Sequence, residues 1–337
     1  MESVLQSIGP ATQDQVRSMG ERLASASMKD PLVRRFLGGE RTAQEATIDI
    51  SNAFDRIARD GEGAILSGRE IGSLEAISVL FDRPVLLVED GKFEVPSGVW
   101  SRLAPYRPDL LAMLGSVGRL ELPEAYGGPA GTGFVVGQNL IMTNRHVIEF
   151  LYSANGDALE FLPGISMKID FKRELGSSAR SVFEITGIRH VFPESSGIDL
   201  ALLTVSERSD TAESLPKPLP LQLRSEAVRR GGTVCVVGYP SADPERNDAS
   251  EMDRIFEGIY DVKRLAPGYL TSEDQNGSFS HDCTTLGGNS GSCVIDVETG
   301  SVIGLHWGGD YLEPNHAVTL PLLASTGEMS GVNFKDA

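Results

Sequence analysis

Beyond residue 130 the apolar residues of this chain come in short runs cut off by turn residues: "GFVVG", "LIMTN", "SVFEITGIRHV", "DLALLTV", "TVCVVGYP", "GSCVIDV", "SVIGLHWGG" and "HAVTLPLL". No helical period separates them. A strand crosses a core in about four to eight residues, whereas a core helix needs about ten or more. Short runs at near-regular spacing therefore predict antiparallel β-structure, closed into barrels or stacked as a sandwich. The expected fold class is mainly β.

The first part of the chain reads differently. "TQDQVRSMGERLASAS" follows a capping Thr12, and "TAQEATIDISNAFDRIARDG" opens with a Thr42, Glu45 capping box and stops at Gly61. Ile50, Phe54 and Ile57 repeat at helical spacing. "GREIGSLEAISVLFD" and the stretch from Pro108 to Leu114 predict further helix, and "PVLLVEDGKFEVP" predicts a hairpin across Asp90-Gly91. The Gly- and Pro-rich text "GSVGRLELPEAYGGPAGTG" is expected to be a linker. The expected organisation is a small, mostly helical domain over 1–112, a linker over 113–130 and a β domain over 131–330.

At 337 residues and 40% apolar content the chain can build two cores. The 47 acidic against 30 basic residues, a net charge of −17, would repel nucleic acid and anionic lipid, so neither is an expected partner. "MESVLQSIGPATQDQ" has neither the basic start nor the apolar stretch of a secretory signal, and no run is long enough to span a membrane. The expectation is a cytoplasmic protein. Cys235, Cys283 and Cys293 are odd in number and lack metal-ligand spacing with any His, which predicts buried, reduced thiols and no metal.

One turn in the β region is crowded with residues that pack poorly. "HDCTTLGGNSGSCV" places Gly288, Asn289, Ser290, Gly291 and Ser292 in succession between a polar and an apolar run. This is either an ordinary surface turn or a nucleophilic Ser290 held at a tight bend. A serine hydroxyl is a poor nucleophile without an adjacent base. His146, in the polar turn "TNRH" after an apolar run, is the candidate. Asp199, just before the strand-like "LALLTV", is the candidate carboxylate to orient it, with Asp170 and Asp157 as competitors. The order His, Asp, Ser is one of the orders in which such triads occur.

Residues 116–325 resemble a trypsin-like peptidase domain of the chymotrypsin superfamily, on "TNRHV" around the base, "IDLALL" around the aspartate and "GGNSGS" around the nucleophile. "VVGYP", residues 236–240, is similar to a strand and turn of bacterial members. The resemblance implies two antiparallel β-barrels, preceded here by the helical domain, and a serine endopeptidase that needs no cofactor and acts on protein or peptide substrates. It places the oxyanion donors on the N–H groups of Gly288 and Ser290, with a side chain at 288 expected to obstruct substrate. "TTLGGNSGS" and "GLHWGG" resemble glutamyl endopeptidases in particular. There Thr285 and His306 correspond to residues that hold a glutamate carboxylate, with one extra residue here between Ser290 and His306. His190, His281 and His316 are expected to be structural or surface residues.

Two other readings stand beside this one. A protease-like fold can serve only as a binding module, and a competent protease can be latent until a regulatory partner meets the N-terminal domain. A glutamate-accepting pocket would also make Glu124-Ala125, in the expected linker, a candidate for self-cleavage, the alternative being a linker that packs along the barrel and is never cut.

Overall fold

The computed structural model describes residues 13–29, 31–60, 64–81, 83–96, 98–155, 158–244, 249–309 and 314–335. Two compact units emerge: residues up to 83 with 96–101, and residues 84–95 with 102 onward.

Among its described residues the first unit holds four α-helices, α1 (Gln13–Lys29), α2 (Pro31–Phe36), α3 (Ala43–Asp60) and α4 (Gly68–Phe81). The capping box that the sequence predicts opens α3: Thr42 N donates to Glu45 Oε2 at 3.0 Å, and Glu45 N donates to Thr42 Oγ1 at 3.2 Å. A second box, Ser67 and Glu70, opens α4. Thr12 and Gly61 lie outside the described residues. Leu23, Val33, Ala46, Ile50 and Leu74 form the buried core, with Phe54 and Ile57 packed against it.

The second unit begins earlier than the sequence predicts. Its first element, the hairpin across Asp90-Gly91, has both turn residues in the left-handed region (φ 49° and 70°) and Glu89 paired with Lys92. The hairpin strand β1 (Leu86–Leu87) lies antiparallel to a later barrel strand. A helix, α5 (Arg107–Leu114), follows. The supposed linker over 113–130 is then a barrel strand, β2 (Val117–Glu121), and the turn after it. Its glycines serve that turn: Gly127 and Gly128 take φ of 106° and 72°, and Leu122 N donates to Gly128 O at 2.8 Å. Glu124 is exposed in this turn. A cut at Glu124-Ala125 would nick a barrel hairpin rather than separate the two units.

The first barrel continues through β3 (Pro129–Gly137), β4 (Leu140–Thr143), a side hairpin of β5 (Tyr152–Asn155) and β6 (Ala158–Phe161), then β7 (Lys168–Asp170), β8 (Val182–Val191) and β9 (Ala201–Val205). The order β2-β3-β4-β9-β8-β7 closes on itself. Ile141, Ile169, Phe183 and Leu203 are among its fully buried core residues.

After the short β10 (Leu221–Gln222), the second sheet is built from β11 (Thr233–Gly238), β12 (Arg264–Tyr269), β13 (Ser278–His281), β14 (Cys293–Asp296), β15 (Ser301–Gly308) and β16 (Asn315–Thr319). Its path β12-β11-β14-β15-β16-β13 returns to its start through one bridge, Leu270 to His281, beside Asp282 N to Tyr269 O at 3.1 Å. This barrel thus has a short seam where the first has a full ladder. The strand β12 escaped sequence reading because Pro267 and Gly268 interrupt its apolar run. A short helix, α6 (Ala249–Phe256), also breaks the all-strand pattern expected there. All three cysteines are free and buried, and burial raises the thiol of Cys293 to about 12.

A buried ammonium ties the segment before β2 into this unit. Lys263 Nζ donates to Leu114 O at 2.9 Å, Phe171 O at 2.7 Å and Glu174 Oε1 at 3.2 Å. Glu174 Oε2 accepts from Gly91 N at the hairpin tip at 2.7 Å, and Arg264 donates to Val85 O at 2.8 Å. A buried charge is tolerated only with such a full set of partners.

Candidate active site

The pairing of β4 with β9, Thr143 opposite Ala201, places the residues beyond those two strand ends side by side. One strand runs on into Asn144, Arg145 and His146; the other is entered through Ile198, Asp199 and Leu200. Asn144 is buried and donates from its amide to Asp199 O at 2.8 Å. Arg145 donates to Ile198 O at 3.3 Å. Asp199 is therefore fixed by its own main chain, and its carboxylate turns to His146. The His146 backbone N–H donates to Oδ1 at 3.0 Å and ring Nδ1 approaches Oδ2 at 2.6 Å. Burial pushes the Asp199 carboxyl up, but the hydrogen bonds and charge of His146, with Arg145, outweigh it and hold the group below its ordinary value. An ionised carboxylate can only accept, so Nδ1 carries the proton and Nε2 is left as the basic nitrogen.

The competing aspartate is placed elsewhere. Asp170 is buried in the first barrel, where it accepts from Lys172 N and Ser181 N and pairs with Arg173 and Arg180. Asp157 lies outside the described residues.

The turn that carries Ser290 has an ordered pattern of main-chain bonds. Each carbonyl from 286 to 290 has a donor: Leu286 O from Asn289 N (3.2 Å), Gly287 O from Ser241 N (2.7 Å), Gly288 O from Thr132 Oγ1 (2.8 Å), Asn289 O from Ser292 N (2.9 Å) and Ser290 O from Thr132 N (2.8 Å). The N–H groups of 289, 291 and 292 are all used. Those of Gly288 and Ser290 find no acceptor among the described residues. A trans peptide sets C=O and N–H antiparallel, so the donors that hold Gly287 O and Asn289 O turn these two N–H groups to the other side.

Glycine is required at 288 and 291 by close approach as well as by positive φ (83° and 88°). A Cβ at 288 would lie 2.4 Å from Tyr239 O, and one at 291 would lie 2.0 Å from Thr132 O. The constraint visible at 288 is thus the protein wall behind the turn, not the obstruction of substrate expected from sequence. No sequence motif marks Thr132, yet it binds the turn twice, at Gly288 O and at Ser290 O. Its carbonyl accepts from Thr143 Oγ1 at 2.8 Å, three residues before His146. The turn of the second barrel is in this way bolted to the strand of the first that delivers the imidazole.

His306, at 2% exposure, donates its N–H to Ser292 O at 2.9 Å and offers its carbonyl to Gly291 N at 3.0 Å, so it lies directly beside the Ser290 turn. Its Nδ1 is 3.2 Å from Nε2 of the fully buried His281. Burial, then the nearby His146 and His316, push the His306 ring down to about 3, so it is neutral. His281 is pushed down by burial, then by His306 and His316, and its Nδ1 has no partner among the described residues. His316 completes the group, stacked on Trp307 at 5.1 Å and 3.3 Å from Ser280 Oγ. Sequence patterning marks His281 and His316 only as structural or surface residues, because for His281 a partner 25 residues away in β15 leaves no local signal. His190 packs edge-on against Phe192 at 4.8 Å, as a structural residue does. Thr285 Oγ1 donates to Asn315 Oδ1 at 2.8 Å, and Asn315 Nδ2 donates to Cys283 O at 2.7 Å.

A probable serine protease of Lysobacter enzymogenes is 29% identical over 290 residues, 75% of this chain and 73% of that protein. A glutamyl endopeptidase of Staphylococcus epidermidis is 28% identical over 196 residues, 58% of this chain; this chain spans only 59% of that relative. The crystal structure of an inactive serine-to-alanine form of a Mycobacterium tuberculosis protein superposes with a TM-score of 0.42 and 21% identity, covering 71% of this chain and 94% of that one. Residues 131–305, more than half of the sequence and running from within β3 to Leu305 in β15, match the trypsin-like peptidase domain family, to which this chain belongs.

Proposed function

We propose that the chain is a serine endopeptidase that works through an acyl-enzyme on Ser290. The observation that carries this reading is the turn in which every carbonyl from 286 to 290 is held while the N–H groups of Gly288 and Ser290 stay unpaired among the described residues. Two fixed donors on one turn suit the oxyanion of a tetrahedral intermediate, a stabilisation of about 3 to 4 kcal/mol per donor.

In this reading Ser290 Oγ attacks the scissile carbonyl carbon as its proton passes to His146 Nε2. The C–O bond forms, the carbonyl π pair moves onto oxygen, and that oxyanion meets the two N–H groups. Asp199 stabilises the imidazolium through the 2.6 Å bond to Nδ1. The imidazolium then gives its proton to the leaving amine as the C–N bond breaks. Water, deprotonated by the same nitrogen, cleaves the ester and restores Ser290.

The pocket reading is a preference for Glu, and more weakly Asp, before the scissile bond, on the correspondence of Thr285 and His306 with the glutamyl endopeptidases. A neutral imidazole beside the Ser290 turn can donate to a carboxylate without a permanent cation. Thr285 must release Asn315 to take part, because its hydroxyl proton is engaged there. A fluorophosphonate probe tests the first claim: wild type should label and Ser290→Ala should not, and equal labelling would end the enzyme reading. Cleavage of a peptide library tests the second; a library dominated by basic or large apolar residues at that position would overturn it.

A further inference from the structure

Whereas the Ser290-Gly291 peptide is fixed from outside the oxyanion turn at both its carbonyl and its N–H, the peptide between Gly287 and Gly288 is held by a single hydrogen bond among the described residues, and that bond comes from outside the turn. Rotating that plane changes ψ of one glycine and φ of the next, the two backbone angles least restricted by side chains. Its carbonyl is held from outside, by Ser241 N at 2.7 Å, in the loop that leaves β11 after "VVGYP". If that bond were lost, the Gly288 N–H could turn toward the wall and the site would keep one donor instead of two.

Ser241 is itself anchored. Its Oγ donates to Asp261 Oδ1 at 2.6 Å, and Asp261 N donates back to Pro240 O at 2.8 Å, so two loops flanking α6 are tied together. Asp261 holds φ of 59°, a left-handed conformation that a residue with a Cβ adopts at a cost of about 1 kcal/mol. Its carbonyl accepts from Arg119 Nη1 at 2.8 Å, and Arg119 is fixed on Glu121 Oε1 by Nε at 3.1 Å and Nη2 at 2.8 Å. Arg119 and Glu121 lie on β2, so the anchor ends on the first barrel. The fit at the other end is tight: a Cβ on Gly288 would lie 2.7 Å from Ser241 Oγ.

We propose that Ser241 is a positioning residue, anchored by Asp261, that holds the Gly287-Gly288 peptide in the orientation presenting the Gly288 N–H to the oxyanion. This rests on the peptidase reading above. It adds a residue that no local motif marks, and it gives the first barrel strand a role in the donor geometry of the second barrel.

Steady-state kinetics on a cleaved peptide, with the rate of fluorophosphonate labelling, test it. Ser241→Ala removes the hydroxyl, and Asp261→Gly removes its acceptor while accepting the positive φ. Each is expected to lower kcat by about tenfold, less than the roughly 100- to 1000-fold that follows loss of a whole oxyanion donor. KM should stay within about twofold and the labelling rate should fall with kcat, because both readouts pass through a tetrahedral oxyanion. The double variant should be no slower than either single, since both remove one interaction. Asp261→Asn, which still accepts, should recover most of kcat. Variants as fast as wild type, a loss confined to KM, or single losses that multiply in the double would each overturn the role of Ser241 while the peptidase reading stood. A wild-type chain that neither labels nor cleaves would overturn both.

Discussion

The Ser290 turn and the histidine group beside it are neighbours built on opposite principles. In the turn the polar groups are main-chain atoms, each carbonyl from 286 to 290 held by a donor and the N–H groups of Gly288 and Ser290 without an acceptor among the described residues. Nothing in that arrangement titrates. In the group formed by His281, His306 and His316 the polar atoms are side chains, two of them on rings that burial holds neutral, and one ring nitrogen of His281 has no partner among the described residues. A field made by backbone is independent of pH but depends on neighbouring loops; a polar group made of buried imidazoles is placed by strands but meets protons whenever the chain unfolds.

The largest expected effect belongs to the turn. Ser290→Ala should lower turnover of the preferred peptide by about four to six orders of magnitude. The melting temperature should stay close to wild type, because every main-chain bond of the turn survives. Calorimetry and single-turnover assays on the same samples check both halves, and an unstable variant would show that the hydroxyl is part of the scaffold.

The next effect belongs to the histidines, and its sign follows from linkage. His306 titrates near 6.5 when unfolded and at about 3 when folded. Between those values the unfolded chain binds more protons, so stability is full above the unfolded pKa and falls as pH drops toward 3. From pH 7 to 4.5 this one ring should cost about 2 to 3 kcal/mol. The lowered pKa of Asp199 adds a loss only further into acid, below its ordinary carboxylate range. Urea unfolding at the two pH values, repeated in His306→Leu, should give a visibly shallower dependence in the variant. An unchanged slope would mean the ring is already protonated in the fold.

A smaller effect probes the bolt between the barrels. Thr132→Val leaves Gly288 O and the Tyr239 N–H without the hydroxyl they share at 2.8 and 3.2 Å. The expected loss is about 1 to 3 kcal/mol of stability, together with a fall in kcat. A stability loss with kcat untouched would separate the bolt from the donor geometry.

The smallest effect is a predicted constancy. With His306 neutral throughout, the preference for Glu over Gln should change by less than about twofold from pH 8 to 5.5, since the carboxylate is ionised across that range. A preference rising steadily as pH falls would show that a protonated imidazole does the recognising.

Much of the fold was readable because it is local. Thr42 and Glu45 name the start of α3, Asp90-Gly91 names a hairpin, and the Val- and Leu-rich runs name β3, β4, β9, β11 and β14. The boundary between the units was not readable. β2 resembles a linker because its few apolar residues gain meaning only when Leu120 pairs with Ile169 and Gly131. The hairpin and α5 belong with the barrels through Lys263 and Glu174: the ammonium takes Leu114 O at the end of α5 together with Phe171 O and Glu174 Oε1 in the loop after β7, and Glu174 Oε2 accepts from Gly91 N.

By itself, then, the sequence determined the residue types and their order: His146, Asp199 and Ser290 with glycines at 288 and 291, on strands whose apolar runs are short. Only the tertiary structure decided which N–H groups stay free, which histidines meet and which residues hold the turn. Thr132 and Gly288 are 156 positions apart, and Asp261 acts on the turn through Ser241, 20 positions before it. Periodicity and capping arise from neighbours along the chain, whereas an oxyanion donor is set by whatever the completed barrels place against the opposite side of its peptide.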